Sequence, residues 1–156
     1  MRTLFILATS LLACAQSVAA DFDWSTIFKE GLVNAEGKPV AVSTLKGKVV
    51  AVYFSAEWCG PCRTFSPQLV KFAEKNSAKM AVVFVSLDGS KSAMLAYMKK
   101  AGMPWAATPF KSASGMGLME KNNISGIPTL LVLGKDGKLL TTNGRNLGKF
   151  QELLDK

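Results

Sequence analysis

The sequence predicts an α/β fold in which a central mixed β-sheet carries helices on both faces. Two apolar runs, 48–55 and 80–87, are nearly continuous, which is typical of strands buried on both sides. Segments with helical periodicity separate the strands, and this alternation favours a sheet between two helical layers. Asp136 and Gly137 then join two further strand patterns, and this tight-turn signal predicts an antiparallel hairpin in the same sheet.

The N-terminal part of the domain predicts an extension to that sheet. Trp24, Ile27 and Phe28 recur at helical spacing and predict a short helix. A glycine-containing turn at 36–38 separates two short β patterns, so we expect an N-terminal β-hairpin extension. In chain order the predicted elements are a helix over 23–28, strands over 32–34 and 39–42, a turn over 43–47, a strand over 48–55, a helix over 63–76, a strand over 80–87, helices over 90–100 and 114–122, strands over 129–133 and 138–142, and a helix over 147–154.

The segment that follows the third predicted helix has little periodicity. Pro104 and Pro109 lie within it, and we expect a loop over 102–110. Met94 and Met98 are four residues apart on the preceding helix, which favours positions in the core over a role as cofactor ligands.

The first twenty residues predict an export signal. Arg2 supplies a positive start, 4–13 is apolar, and small residues at 18–20 form a cleavage site. The expected organisation is a signal peptide over 1–20 and one domain over 21–156, which is long enough for a sizeable core. The apolar run is shorter than the roughly 20 residues that cross a bilayer, so no transmembrane segment is expected.

Cys14 leaves a second form of export open. Residues 11–14 resemble a bacterial lipobox, in which Cys14 would carry lipid and become the new N-terminus. We favour the soluble form, because the later cleavage site is also well formed. Both interpretations take the protein out of the cytoplasm, to the periplasm or to a membrane surface.

Charge and composition exclude several classes of partner. The net charge is +8, but the lysines are scattered among acidic residues without a basic stripe that alternates with aromatics. Nucleic-acid binding is therefore not expected. The chain has no histidine, and a structural zinc site needs four Cys or His ligands, so we expect neither a metal nor another cofactor. No long exposed apolar segment requires a partner, and a monomer is expected.

Cys59 and Cys62 are the residues that most directly indicate chemistry. They follow the strand over 48–55, where a helix is about to begin, and two residues separate them. A helix N-terminus favours the thiolate of the first cysteine, and the thiolate is the form that attacks disulfides. We therefore predict Cys59 as the more exposed nucleophile and Cys62 as the resolving thiol. The loop between them is too small for a structural disulfide to stabilise the fold appreciably.

The neighbours of the two cysteines suit this interpretation. Gly60 permits a close approach by another chain, and Pro61 is preset for a first helical turn. Trp58 is predicted either as an apolar platform beside the sulfurs or as an ordinary packing residue.

Ile127 and Pro128 form the second predicted part of the site. Pro128 opens a strand, where a proline is tolerated. If the Ile127–Pro128 bond is cis, the Ile127 backbone lies beside Cys59 and can pair with an extended substrate, as in strand addition.

The segment over 53–62, with Pro67 and 126–130, resembles the thioredoxin superfamily over nearly the whole mature chain. The resemblance implies a thioredoxin fold and a cis Pro128 next to the dithiol. The segments over 53–56 and 103–105 are more similar to the tryparedoxin and nucleoredoxin branch than to ordinary thioredoxins. With the export signal, the chain is interpreted as an exported bacterial form of that branch.

Two positions depart from the family pattern. Thioredoxins carry a buried aspartate where this chain has Tyr53, which leaves the base for Cys62 unassigned. Glu57 is nearby in sequence, but a carboxylate at a strand end is usually solvated. Tryparedoxins usually have two prolines between the cysteines, whereas this chain has Gly60 and Pro61. The trypanothione-linked electron supply of that branch is therefore not carried over.

The resulting functional hypothesis is a periplasmic thiol–disulfide oxidoreductase that reduces disulfides in client proteins. The Gly60–Pro61 pair favours a reductant, since strong oxidants of the superfamily usually place a histidine between the cysteines. The resemblance suggests a membrane thiol transporter as the electron donor. A disulfide oxidase or isomerase of the same fold, and a non-catalytic binding module, are the alternatives.

Overall fold

The computed structural model describes residues 21–156. The signal peptide predicted over 1–20 and the alternative lipid anchor at Cys14 lie outside the described residues. The strands are β1 (Leu32–Val33), β2 (Pro39–Val40), β3 (Val49–Ser55), β4 (Met80–Ser86), β5 (Ala106–Ala107), β6 (Thr129–Leu133) and β7 (Leu139–Thr141). The helices are α1 (Gly60–Lys75), α2 (Lys91–Lys100), α3 (Ala113–Lys121) and α4 (Leu147–Leu154), and short 3₁₀ turns cover Trp24–Thr26 and Val42–Leu45.

All seven strands form one mixed sheet in the order β2-β1-β5-β4-β3-β6-β7. The central strand β3 runs parallel to β4, with Val52 opposite Val83, and antiparallel to β6, with Val52 opposite Leu131. Every residue of β3 is buried, as its near-continuous apolar sequence predicts. The predicted α/β class, with a mixed sheet flanked by helices, is confirmed.

Alternate residues of β3 point into two separate hydrophobic cores. Tyr53 lies in the core that α1, α2 and α4 cover, whereas Val52 and Phe54 lie in the core beneath α3 and the N-terminal 3₁₀ turns. Met94 and Met98 of α2 are fully buried in the first core. Burial of a side chain of this size stabilises the fold by about 1.5–3 kcal/mol. The many buried side chains of the two cores together therefore fix the position of β3.

Side-chain caps fix the starts of three helices. Ser90 accepts from the Ala93 N–H at the start of α2, and Ser112 accepts from the Gly115 N–H at the start of α3. Asn146 caps α4 in the same way. Each such cap is worth about 1 kcal/mol, so the sequence sets these boundaries locally. No helix of residues 21–156 is both long and apolar enough to cross a membrane.

The loop predicted over 102–110 is wrong in part, because β5 lies within it. Ala107 pairs parallel with Phe84 of β4 and antiparallel with Val33 of β1. A two-residue strand has no periodicity that a sequence could display, and its hydrogen bonds come from partners distant in the chain. The two strands predicted near the N-terminus pair antiparallel, with Leu32 opposite Val40.

Gly115 of α3 offers a test of the close contact between α3 and the sheet. A Cβ there would lie 2.9 Å from the Ser112 and Thr108 side-chain oxygens and 3.2 Å from Val85 Cγ1. We expect Gly115→Ala to lower the free energy of unfolding by about 1–3 kcal/mol through overpacking, measured by urea denaturation. Gly117→Ala is the matched control, since no atom lies within 4 Å of its added Cβ. The control should be neutral or more stable by up to about 1 kcal/mol, and equal effects of the two changes would contradict the contact.

Candidate active site

The cysteine pair lies where β3 passes into α1. Cys59 is the N-cap residue of α1, and its Sγ accepts a hydrogen bond from the Cys62 N–H at 3.3 Å. The unsatisfied N–H groups and the positive end of the helix dipole therefore point at this sulfur, which favours negative charge on it. The helix begins at Gly60, three residues earlier than predicted, because the cysteine itself provides the cap.

Cys59 and Cys62 are joined by a disulfide, with their Cα atoms 5.2 Å apart. Cys59 is 6% exposed and Cys62 is fully buried, so Cys59 presents the more accessible sulfur. A molecule approaching from solvent therefore meets the Cys59 sulfur before the Cys62 sulfur.

The residues between the cysteines leave the approach open. Gly60 is exposed, and no atom lies within 4 Å of the position that a Cβ would occupy. Pro61 is exposed in the first turn of α1, where its missing N–H removes no helical hydrogen bond. Both residues thus leave the surface next to Cys59 unobstructed.

Trp58 stands at the surface rather than in the core. Its side chain is 63% exposed, and the indole Nε1 donates to the Leu87 carbonyl oxygen at 3.2 Å. The ring borders a cleft of about 340 Å³ whose other wall is α2, with Ala93 and Lys100 among the lining residues. Of the two roles predicted for Trp58, an ordinary packing role does not fit this exposure.

The Ile127–Pro128 peptide bond is cis, as the family resemblance implies. The Ile127 carbonyl oxygen lies 3.8 Å from Cys59 Sγ, although 68 residues separate them in sequence. Pro128 is buried, whereas Gly126 is exposed. The structure therefore brings the second predicted part of the site next to the first, with backbone groups close to the sulfur.

A network of hydroxyl groups lies beneath Cys62. Tyr53 Oη donates to the Cys62 carbonyl oxygen at 3.3 Å and is 3.0 Å from Ser66 Oγ. Ser66 Oγ also donates to the Cys62 carbonyl oxygen at 3.0 Å and is 2.8 Å from Tyr97 Oη, which in turn is 3.3 Å from Ser55 Oγ. Burial raises the pKa of Tyr53 to about 12. At neutral pH this position therefore carries a neutral hydroxyl group.

Sequence reasoning singled out Tyr53 but missed the rest of this network. Ser66 follows Cys62 by four residues, and that spacing alone signals a bond from its hydroxyl to the Cys62 carbonyl oxygen. Tyr97 belongs to α2, and nothing local to it indicates that it would meet Ser66. The network thus depends on tertiary packing.

Glu57 does not occupy the place of the missing acid. Its carboxylate is exposed and pairs with Lys100 Nζ at 2.9 Å, and a hydrogen bond from Lys100 holds the pKa of Glu57 below its usual range. The Glu57 carbonyl oxygen accepts from Arg63 Nη1 at 2.7 Å. These contacts keep Glu57 at the surface and ionised, instead of beneath Cys62.

Sequence reasoning also missed Arg145. Its Nη1 donates to the Pro128 carbonyl oxygen at 3.3 Å, and its guanidinium lies 5.6 Å from the ring centre of Phe65. It lines a largely polar cleft of about 400 Å³ beside the cis peptide bond. Arg145 comes from the loop between β7 and α4, so no sequence pattern connects it with the cysteines.

Within residues 21–156 no group of three or more His, Cys, Asp or Glu residues is placed to hold a metal ion.

Comparisons with known proteins agree with this geometry. A family profile described as Thioredoxin-like matches residues 47–139. Tryparedoxin from Trypanosoma brucei brucei is 39% identical over 118 residues, which cover 73% of this chain and 80% of that protein. Nucleoredoxin from Bos taurus is 36% identical over 118 residues, covering 73% of this chain and 27% of that protein. The chain spans 20% to 30% of the length of the nucleoredoxins that it matches.

Solved structures show the same likeness over most of the described residues. Native tryparedoxin I from Crithidia fasciculata is 38% identical with a TM-score of 0.71, covering 83% of this chain and 92% of that chain. Thioredoxin from Wuchereria bancrofti is 36% identical with a TM-score of 0.71, covering 87% and 99%. The fold is thus the thioredoxin fold, and the chain belongs to the Thioredoxin-like family, together with the nucleoredoxins and tryparedoxins.

Proposed function

We propose that the protein is a thiol–disulfide oxidoreductase that reduces disulfides in client proteins through Cys59 and Cys62. The observation that carries this proposal is the placement of two bonded cysteines at the N-terminus of α1, of which Cys59 is 6% exposed and Cys62 fully buried. The Ile127 carbonyl oxygen beside Cys59 supports it, since an extended client can pair with backbone next to the reacting sulfur.

The reaction begins with the dithiol form of the protein. The Cys59 thiolate attacks one sulfur of a client disulfide, which forms a mixed disulfide and releases the first client sulfur as a thiolate. The helix N-terminus stabilises the attacking thiolate, and the exposed Gly60 and Pro61 leave room for the client chain.

The second step closes the pair. Cys62 gives up its proton, which we assign to the released client thiolate, and the Cys62 sulfur attacks Cys59. The Cys59–Cys62 disulfide forms, the second client sulfur leaves and takes up a proton from solvent, and two electrons have passed to the client. Tyr53 and Ser66 hold the Cys62 backbone during this step, but the raised pKa of Tyr53 keeps it from acting as the base.

We assign the net direction as reduction of the client. The Gly60–Pro61 pair supports this direction, because strong oxidants of this superfamily usually carry a histidine there. Each turnover then needs two electrons from a dithiol donor, for which we propose a membrane thiol transporter. A disulfide oxidase would use the same two sulfurs, but with net electron flow from the client to the protein. An isomerase would use them with no net electron flow.

We propose the periplasm as the location, reached through the signal peptide over 1–20, with lipid attachment at Cys14 as the alternative. The apolar run and the two possible processing sites in the sequence support export. Intact-mass analysis of the mature protein distinguishes cleavage after Ala20 from a diacylglyceryl group on Cys14, and an unprocessed N-terminus would contradict export.

The two cysteines should give opposite phenotypes when replaced singly. Cys59→Ser removes the nucleophile and should lower the rate of insulin disulfide reduction at least about a hundredfold. Cys62→Ser should instead accumulate a covalent mixed disulfide between Cys59 and the client, visible by mass spectrometry. Parental activity in Cys59→Ser would contradict the mechanism. If the parent lacks redox activity and Cys59→Ala/Cys62→Ala still captures the client, the protein is a binding module.

The reduction potential of the Cys59–Cys62 couple tests the direction of electron flow. Equilibration with dithiothreitol mixtures should give a value toward the thioredoxin end of the scale, roughly −270 mV. A value near roughly −120 mV would make the protein an oxidant, and the proposed direction would be wrong.

Tyr53→Phe should weaken the first turn of α1 without abolishing redox activity. Losing the hydroxyl removes its contacts to Cys62 and Ser66, which should cost about 1 kcal/mol in the free energy of unfolding. An unfolded tyrosine ionises near pH 10, whereas burial raises the Tyr53 pKa to about 12, so ionisation favours the unfolded chain as pH rises through this window. The parental free energy of unfolding should therefore fall between pH 10 and 12 by up to about 3 kcal/mol more than that of Tyr53→Phe. Parallel pH curves would contradict this assignment.

A further inference from the structure

Three contacts tie the turn that carries Cys59 to the residues just after β4. The Leu87 N–H donates to the Ser55 carbonyl oxygen at 2.9 Å, which extends the pairing of β3 with β4. The Trp58 indole donates to the Leu87 carbonyl oxygen at 3.2 Å. The third contact comes from a side chain, because the Glu57 N–H donates to Asp88 Oδ1 at 2.8 Å.

Asp88 is held in place for this contact. Asp88 is 5% exposed, and Ser86 Oγ donates to its Oδ2 at 2.7 Å. The Asp88 N–H donates back to Ser86 Oγ at 3.0 Å, so the two residues form a closed pair at the end of β4. Both carboxylate oxygens therefore have a fixed partner, and one of them reaches across to the turn before Cys59.

Asp88 takes part in none of the ion pairs of residues 21–156. The ion pairs in residues 21–156 are Lys79–Asp155, Lys100–Glu57 and Lys138–Asp136. Lys100 borders the same cleft as Asp88 but is engaged by Glu57. A negative charge on the Asp88 carboxylate disfavours a second negative charge on a nearby sulfur, and Cys59 follows Glu57, the residue that Asp88 binds, by two positions.

We propose that Asp88 is a positioning residue for Cys59, which anchors the turn over 56–59 through the Glu57 N–H and whose charge makes the dithiol a stronger reductant. Destabilising the Cys59 thiolate destabilises the reduced form, and a less stable reduced form donates electrons more readily. Asp88 would thus counteract part of the stabilisation that the α1 N-terminus gives to the same sulfur. This inference rests on the proposed dithiol chemistry of Cys59 and Cys62.

Two replacements separate the anchor from the charge. Asp88→Asn keeps an oxygen for the Glu57 N–H and loses the charge, and the Ser86 hydroxyl has lone pairs to accept from the new amide. Asp88→Ala loses both. The matched control is Asp136→Asn, an exposed carboxylate that accepts the Lys138 N–H in the hairpin turn and does not touch the site.

The experiment equilibrates the parent and each variant with dithiothreitol mixtures and follows the rate of exchange with dithiothreitol against pH. The charged groups in contact with the turn, which stay unchanged throughout, are Glu57 itself, Arg63 from α1 and Lys100 from α2. Arg145, which donates to the Pro128 carbonyl oxygen, also stays unchanged. For Asp88→Asn we expect a shift of five- to tenfold toward the reduced form, up to about 30 mV less negative, and a pH profile displaced to lower pH.

Asp88→Ala should show the same shift together with an exchange rate at least about fivefold below that of Asp88→Asn, because the turn is no longer anchored. A merely structural role would leave the potential and the pH profile of Asp88→Asn at the parental values, and that result would overturn the proposal. If Asp88→Ala does not fold, Ser86→Ala replaces it, since it removes one donor to the carboxylate, and a rate equal to the parent would overturn the anchoring role. A parent without a reversible couple would overturn the proposed function and this inference together.

Discussion

The hydrogen bond from the Cys62 N–H to Cys59 Sγ is the interaction on which the rest of the site depends. It makes a sulfur the cap of α1, so the residue that starts the helix also carries the reactive atom. Such a cap holds only if the strand before it and the helix after it are both fixed. Strand β3 is paired on both sides and buried on both faces, and Phe65 and Leu69 anchor the inner face of α1 in the core.

The polar groups around this cap divide into a neutral set and a charged set. Beneath Cys62 the hydroxyls of Tyr53 and Ser66 satisfy one backbone carbonyl group without placing a charge in the apolar core, where an unpaired charge would be costly. On the other side of the turn, Asp88 places a carboxylate against a backbone N–H. The N-terminus of α1 favours the thiolate form of Cys59, whereas the Asp88 carboxylate, bound to the turn before it, disfavours that form.

How much the sequence predicted depends on whether the signal was local. The strands β3, β4 and β6 and the helix α4 have long apolar patterns, and Cys59 with Cys62 and Ile127 with Pro128 are short motifs whose chemistry is visible in adjacent residues. Strand β5 is too short to have a pattern. Tyr97, Asp88 and Arg145 meet the site only because distant segments pack together, and an isolated tyrosine, aspartate or arginine gives no sign of such a contact.

The outer strand β2 has a consequence for the behaviour of the folded chain toward other chains. It is two residues long, begins with the exposed Pro39, and occupies one edge of the seven-stranded sheet. A proline has no N–H to offer a neighbouring strand, and an edge this short gives another chain little to pair with. Without β2, the edge of β1 would be open to lateral pairing. Strand β2 therefore disfavours edge-to-edge aggregation at this side of the sheet.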